Sequence, residues 1–504
     1  MRRQSSLAIV WLIPLVLSLI ITNTYSSSSA VAAEQVGNSS PPSRVDIPER
    51  IARVESGLLP PVLIQGEPAP AMTLVERMSH YNIPGVSIAV INNGEIEWAR
   101  GYGVRENGGN VPVTTTTLFQ AGSISKPVAA MAALFLVQQG KLALDEHVNT
   151  KLVSWKLPEN EYTTGQKVSL RGLLSHTAGL SVHGFPGYAA NEEIPTLLQV
   201  LDGVGPANTR PIRVDMIPHS QWRYSGGGYT LMQQLLIDVV GKSFPNILEE
   251  VVLKVIGMKH STYQQPLPQA LAASAATAHR KGRKLSGKWH IYPEMAAAGL
   301  WTTPSDLALF AIELQNTISG LSNKVLSTPM ANLMVTDKMH NYGLGLALKS
   351  EGKSARFSHG GINEGFEAYI VAYTRTRQGA VVMANGSGGM HLAQEIIRGI
   401  AREYGWIDFL GENRVLAQVD PKLYDDYIGQ YELDPHLMLL VSRKGDRLYV
   451  RATDQRQFEI FPESKITFFL QEFEAQITFI KDERGRVTHL ILRQHGEHSA
   501  KKIE

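Results

Sequence analysis

Phe119-Gln-Ala-Gly-Ser123-Ile-Ser-Lys126-Pro127 is the stretch on which the reading of this chain turns. Ser123 and Lys126 stand three residues apart. Val128 to Gln139 reads as a helix, with Met131, Leu134, Phe135 and Val137 as an apolar stripe and Gly140 as its stop. If that helix starts near Ser123, positions i and i+3 share a face and the two side chains can meet. A serine hydroxyl is a weak nucleophile until a base takes its proton. A lysine can be that base only when desolvation or a neighbouring cation lowers its pKa. The helix N-terminus adds free N–H groups and a positive dipole end, both useful to a developing oxyanion. On its own, Ser-x-x-Lys also fits an N-cap serine followed by a solvated lysine, so the surrounding chain has to decide.

Upstream of the motif, Gly85 to Ile91 alternates like a strand, and Asn93-Gly94 is the strongest short hairpin signal before a partner strand over Glu95 to Tyr102. Downstream, Val168 to Gly179 reads as a short helix ended by Gly179. Its His176 is either a catalytic base or, as the plainer reading, a buried histidine that braces a turn. Arg223-Tyr224-Ser225-Gly226-Gly227-Gly228 is a glycine-rich turn that opens an apolar helix. It lacks the spacing of a phosphate loop. Tyr224 is a core aromatic or a phenol aimed into a site. Thr303 or Ser305 can cap a helix that follows Gly299. Tyr342 to Leu348 and Arg356 to Gly361, with His359-Gly360-Gly361, read as strands. Phe366 to Tyr373 and Gly379 to Met383 form a second hairpin, and Leu392 to Tyr404 a closing helix.

The 504 residues are 43% hydrophobic and carry a net charge of +2. That is enough for two domains with buried cores, and it gives no sign of a nucleic-acid partner. The chain has no cysteine, which rules out disulfides, thiol catalysis and thiolate metal sites. The reading calls for no metal and no cofactor. Met1-Arg-Arg3, the apolar run Leu7 to Ile21 and Ala30-Val-Ala32-Ala33 have the layout of a secretory signal over residues 1–33. The mature chain is therefore expected outside the cytoplasm, touching a membrane only through that segment if it is retained. Residues 34–70 read as a loose Ser/Pro/Gly-rich leader, residues 71–408 as the main domain, and residues 415–504 as a small β-barrel of regularly spaced short strands.

These pieces, on one chain and in this order, resemble the serine β-lactamase and penicillin-binding-protein superfamily. The nearest branch is the class C β-lactamase-like one, with its D-alanyl-D-alanine carboxypeptidases, D-amino-acid peptidases and esterases. The resemblance spans roughly Thr73 to Tyr404. It rests on Gly122-Ser-Ile-Ser-Lys126, Leu174-Ser-His-Thr-Ala-Gly179, Tyr224-Ser225, Gly299-Leu-Trp-Thr-Thr-Pro-Ser-Asp306 and His359-Gly-Gly361. It implies an α/β (α+β) fold: an antiparallel sheet flanked by helices, with a mainly helical region over about residues 142–286. The tail resembles the small lipocalin-like barrel that many members append.

By the same resemblance, Ser123 is the acylated nucleophile, and Lys126 and Tyr224 handle the proton. The backbone N–H groups of Ser123 and Ile362 form the oxyanion hole. His359, Gly360 and Gly361 line the substrate. Two departures stand out. The second motif is Tyr224-Ser225-Gly226 where the family has Tyr-x-Asn, and the third is His-Gly-Gly where it has Lys-Thr-Gly. The permanent cation that helps hold a β-lactam carboxylate is gone. Both departures point away from strong β-lactamase activity and leave acyl transfer from other amides or esters. The substrate class implied is a small molecule or a peptidoglycan fragment. The alternative is a pseudoenzyme that binds such fragments or a protein. A histidine at position 359 is expected to lose its charge near 6.5 and to attract a carboxylate only in mildly acidic solution.

Overall fold

The structure, a computed structural model, describes residues 46–503 apart from 337, 338, 350, 351, 436, 454 and 495. The expected signal segment therefore lies outside the described residues.

Asn93 (φ 53°) and Gly94 (φ 77°) both adopt the left-handed conformation that a two-residue hairpin turn demands. They join β1 (Gly85–Asn92) to β2 (Glu95–Gly103). Further along the chain lie β3 (Ala347–Lys349), β4 (Arg356–Asn363), β5 (Phe366–Tyr373) and β6 (Gly379–Ala384). The two hairpins meet where β6 pairs antiparallel with β1. The sheet has six strands in the order β2-β1-β6-β5-β4-β3. β1 does not alternate between buried and exposed positions as expected; all but its last residue are buried. It is a central strand with both faces covered, and such strands read as continuous apolar runs.

The helices that matter here are α1 (Ile47–Glu55), α2 (Ser125–Gln138), α3 (Leu170–Ser175), α4 (Gly226–Val240), α5 (Met295–Ala298), α6 (Pro304–Ile318) and α7 (Gly389–Glu403). α6 packs against β1 and β6, and α7 against β5 and β6. α2 is buried on nearly every side rather than along one stripe, as befits a helix at the centre of the unit. Among the described residues no helix is long and apolar enough to cross a membrane.

Four expectations need correction. The loose leader over residues 34–70 carries α1, whose Arg50 pairs with Glu97 at 3.0 Å and whose Arg53 pairs with Glu403 at 2.8 Å. Within the same leader, Val62–Ile64 forms a parallel pair with Glu412–Arg414. The strand expected over 342–348 is confined to β3. Gly345 at φ 101° and the positive φ of Asn341 bend the chain before it. α3 stops at His176, which is itself the left-handed C-cap at φ 61°, three residues before the expected Gly179. The tail has one strand more than its apolar pattern announced, Glu497–Lys502, in which only Ala500 is fully buried.

The chain divides into two compact units, one of Asp46–Leu58 with Met72–Asp408 and one containing Leu59–Ala71 with Phe409–Glu504. The second unit is built on a closed antiparallel barrel of eight strands, Gly429–Asp434 through Glu497–Lys502. Alternate residues point inward, and Tyr431, Phe468, Phe479 and Leu490 fill its interior. Tyr427 stacks on Phe479 with ring centroids 4.3 Å apart.

Candidate active site

Ser123 lies in a short 3-10 turn, Gly122–Ile124, that leads into α2. Short strand pairing of Phe119 and Gln120 with Thr302 and Trp301 fixes the approach to that turn. The Ala121 N–H donates to Leu300 O at 2.9 Å. β4 pairs with β5 along its whole length but with β3 only over Arg356 to Ser358. The rest of its outer edge, His359 onward, therefore faces the Ser123 turn instead of a strand. The contact is very close. A Cβ on Gly122 would sit 2.5 Å from Ile362 N, and one on Gly361 would sit 1.9 Å from Ala121 O. Only glycine lets the two backbones approach this far. The Ile362 N–H thus stands beside the serine turn, while the Ile362 side chain is 45% exposed.

Lys126 projects from the first turn of α2 into the interior and is 2% exposed. Its Nζ lies 2.9 Å from Ser123 Oγ and donates to Ala297 O, on α5, at 2.8 Å. Burial pushes its amine down to about 7. The ring of Tyr224 lies 4.9 Å from the same Nζ. The Ser123 side chain favours the ionised form of the Tyr224 phenol, but burial outweighs it and pushes the pKa up. It therefore stays protonated at neutral pH. The two groups expected to share the proton are chemically unequal: a lysine that can be neutral and a tyrosine that keeps its proton.

His359 requires a correction. It is 6% exposed, and burial together with the nearby Lys126 pushes its imidazole down to about 3. The charge expected in mildly acidic solution is not there. Nδ1 lies 2.6 Å from Gly360 O, and Nε2 lies 3.0 Å from the Tyr342 hydroxyl.

The second motif is equally specific about its missing amide. Ser225 caps α4: its Oγ accepts from Gly228 N–H at 3.0 Å and donates to Ser181 O at 2.9 Å. At Gly226, the position of the family's asparagine, a Cβ would lie 3.0 Å from both His183 O and the Phe185 ring. His176 Nδ1 accepts the Ser225 N–H at 3.1 Å, and its ring lies 4.2 Å from that of Tyr224. It braces the turn that carries Tyr224, which is the plainer of the two readings made from its sequence.

A family profile described as Beta-lactamase matches residues 71–404. The chain belongs to the beta-lactamase family. A second profile, a domain of unknown function (DUF3471), matches residues 413–503, the stretch that holds the barrel. Penicillin-binding protein 4* of Bacillus subtilis (strain 168) is 23% identical over 449 residues, covering 85% of this chain and 97% of that protein. Two solved structures share the fold. The D-amino acid amidase from Ochrobactrum anthropi SV3 matches with a TM-score of 0.55 at 19% identity, over 71% of this chain and 99% of that one. EstCE1, a hydrolase with promiscuous acyltransferase activity, also matches with a TM-score of 0.55 at 19% identity, over 70% and 98%.

Within this beta-lactamase-family serine hydrolase, three groups at the site carry little or no signal in the sequence. Ala297 contributes through its carbonyl, which every residue has. Ser125 is buried, donating to Gly122 O at 2.6 Å and accepting from Leu300 N–H at 3.0 Å, so it locks the turn beneath Ser123. Tyr342 arrives from the bend before β3. A glycine-rich run after an aromatic was its only trace in the sequence.

Proposed function

We propose that the chain is an extracytoplasmic serine hydrolase that forms an acyl-enzyme at Ser123 on a small amide or ester. The observation that carries this is the 2.9 Å contact between Ser123 Oγ and a fully buried lysine amine. In its neutral form Lys126 Nζ has a lone pair for the serine proton. As that proton transfers, Oγ bonds to the substrate carbonyl carbon and the carbonyl electrons move onto oxygen. The N–H groups of Ser123 and Ile362 are the donors for that oxyanion. When the carbon–leaving-group bond breaks, the proton held on Lys126 passes to the leaving group, with the Tyr224 hydroxyl as the relay. Water then repeats the sequence on the acyl-enzyme and releases the acid. The amidase and the acyltransferase-type hydrolase that share the fold make amides and esters, peptidoglycan-derived ones included, the substrates to try.

Two results are expected. Acylation of Ser123 by a neutral ester should rise with pH through about 7 and level off above it, because protonated Lys126 cannot accept the proton. Below that point the rate should fall about tenfold per pH unit. A profile that bends near 4 to 5 instead would assign the base to a carboxylate. Tyr224→Phe should lower acylation by about 100-fold, the usual loss when a proton-transfer group is removed, while the bend near 7 stays in place. A neutral effect would make Tyr224 a packing residue only. The location outside the cytoplasm is supported by the layout of residues 1–33. The intact mass of the secreted, fluorophosphonate-labelled protein tests it directly, with the mature chain expected to start after Ala32 or Ala33.

A further inference from the structure

The third motif is where this site differs most from a carboxylate-binding one, and the difference lies in hydrogen bonding as much as in charge. Gly360 O is a carbonyl and can only accept, so His359 Nδ1 carries its hydrogen and donates to it at 2.6 Å. In the neutral ring Nε2 then holds a lone pair, and the Tyr342 O–H donates to it at 3.0 Å. Both nitrogens are engaged within the protein. Tyr342 is 5% exposed. Its backbone exchanges two hydrogen bonds with Met339, and the Leu348 N–H closes the bend on Asn341 O at 2.7 Å. Its ring packs 4.8 Å from His176 and 5.8 Å from Trp222. The ionisable groups that face the imidazole are Lys126, Tyr224, His176 and Tyr342. Lys126 repels a second cation, and the others are a histidine and two phenols.

We propose that Tyr342 is a specificity-determining residue: by holding His359 as the Nδ1–H tautomer with Nε2 occupied, it denies the substrate both a cation and a donor at the third motif, so the site takes acyl donors whose leaving group carries no carboxylate. This rests on the acyl-transfer reading above and narrows it, toward neutral esters and amides and away from the release of a C-terminal amino acid. Substrate contact with β4 is then left to the backbone of the strand.

The test uses the full chain and one matched pair of esters, methyl 3-acetoxybenzoate and 3-acetoxybenzoate, which differ by a single carboxylate on the leaving group. The ratio of kcat/KM, anionic over neutral, is measured from pH 5.5 to 8.5. The ionisation of Lys126 affects both esters alike and cancels. A ratio below one that is flat with pH is the expected result. A ratio above one at any pH, or one that falls as pH rises, overturns the proposal. Tyr342→Phe removes the donor and leaves Nε2 free to take up a proton and donate to the substrate carboxylate, so the ratio should rise at least threefold at the acid end of the range. An unchanged ratio would take the role away from Tyr342.

Since that variant can fail for reasons of folding, nitrogen-15 shifts of the wild-type imidazole give an independent reading. They should show a protonated Nδ1, an unprotonated Nε2 and no titration between pH 5 and 9. Titration in that window, or the opposite tautomer, counts against the proposal. Failure of the acyl-transfer reading itself would look different: no ester turned over and no fluorophosphonate label on Ser123, with the tautomer unaffected.

Discussion

Ser123→Ala should leave no acylation that can be measured, a loss on the order of 10⁴ or more as expected when a nucleophile is deleted, in a protein that still folds. The fold should survive because the Ser123 hydroxyl meets the Lys126 amine and not a backbone group of its own turn. Its partner Lys126 keeps the bond to Ala297 O. Two residues on, the same substitution should do the reverse. Ser125 Oγ makes two buried hydrogen bonds that tie Gly122 and Leu300 together, and its carbonyl accepts from the Tyr263 hydroxyl at 2.6 Å. Ser125→Ala leaves the buried Leu300 N–H without its partner, which costs about 1–3 kcal/mol, and removes one of two donors to Gly122 O, which keeps the Ser125 N–H. It should lower Tm clearly and affect activity only as the turn loosens. Ester turnover, fluorophosphonate labelling and thermal melts on the two variants separate chemistry from structure. Residual turnover within tenfold of wild type in Ser123→Ala would end the assignment of the nucleophile.

The two serines also mark the boundary of what the sequence announces. Ser-x-x-Lys is legible because one helical turn brings i and i+3 together, and that geometry is local. The Asn93-Gly94 hairpin is legible for the same reason, since positive φ at two successive residues is a local requirement. The quantities that decide chemistry are set by tertiary packing. Whether Lys126 is neutral depends on its 2% exposure, and whether His359 carries charge depends on its 6%. Neither follows from residue type, and the ordinary histidine pKa is the wrong guide at position 359. α1 was missed because its Ser- and Pro-rich flanks resemble a linker. Only Val54 of its nine residues is buried, and its hold on the unit comes through Arg50 and Arg53. The last barrel strand was missed because Glu497 to Lys502 faces mostly outward. Barrel closure requires a strand there, whatever its polarity.

The same contrast between residue type and packing can be tested on two neighbouring glycines of β4. Gly360 and Gly361 follow His359 and point to opposite faces of the strand, as successive strand residues must. An added Cβ at Gly360 would meet Met390 Cε at 3.2 Å, the far end of a flexible side chain. An added Cβ at Gly361 would lie 1.9 Å from Ala121 O, a backbone atom of the serine turn. That overlap can be relieved only by moving strand and turn apart, and the next N–H along the strand is that of Ile362. Gly122 presses from the other side at φ 51°, with its own missing Cβ 2.5 Å from Ile362 N, so the turn has little room to adapt. Loss or misplacement of one oxyanion donor costs about 10²–10³ in rate. Gly361→Ala should therefore lower kcat/KM for a neutral ester by that factor, mainly in kcat, since the oxyanion exists only in the transition state and intermediate. The bend near pH 7 should remain, because it is set by the burial of the Lys126 amine on α2. Gly360→Ala should lose less than tenfold. If Gly361→Ala stays within threefold of wild type, or if Gly360→Ala is the worse of the pair, the Ile362 N–H is not an oxyanion donor and the hole must be built elsewhere.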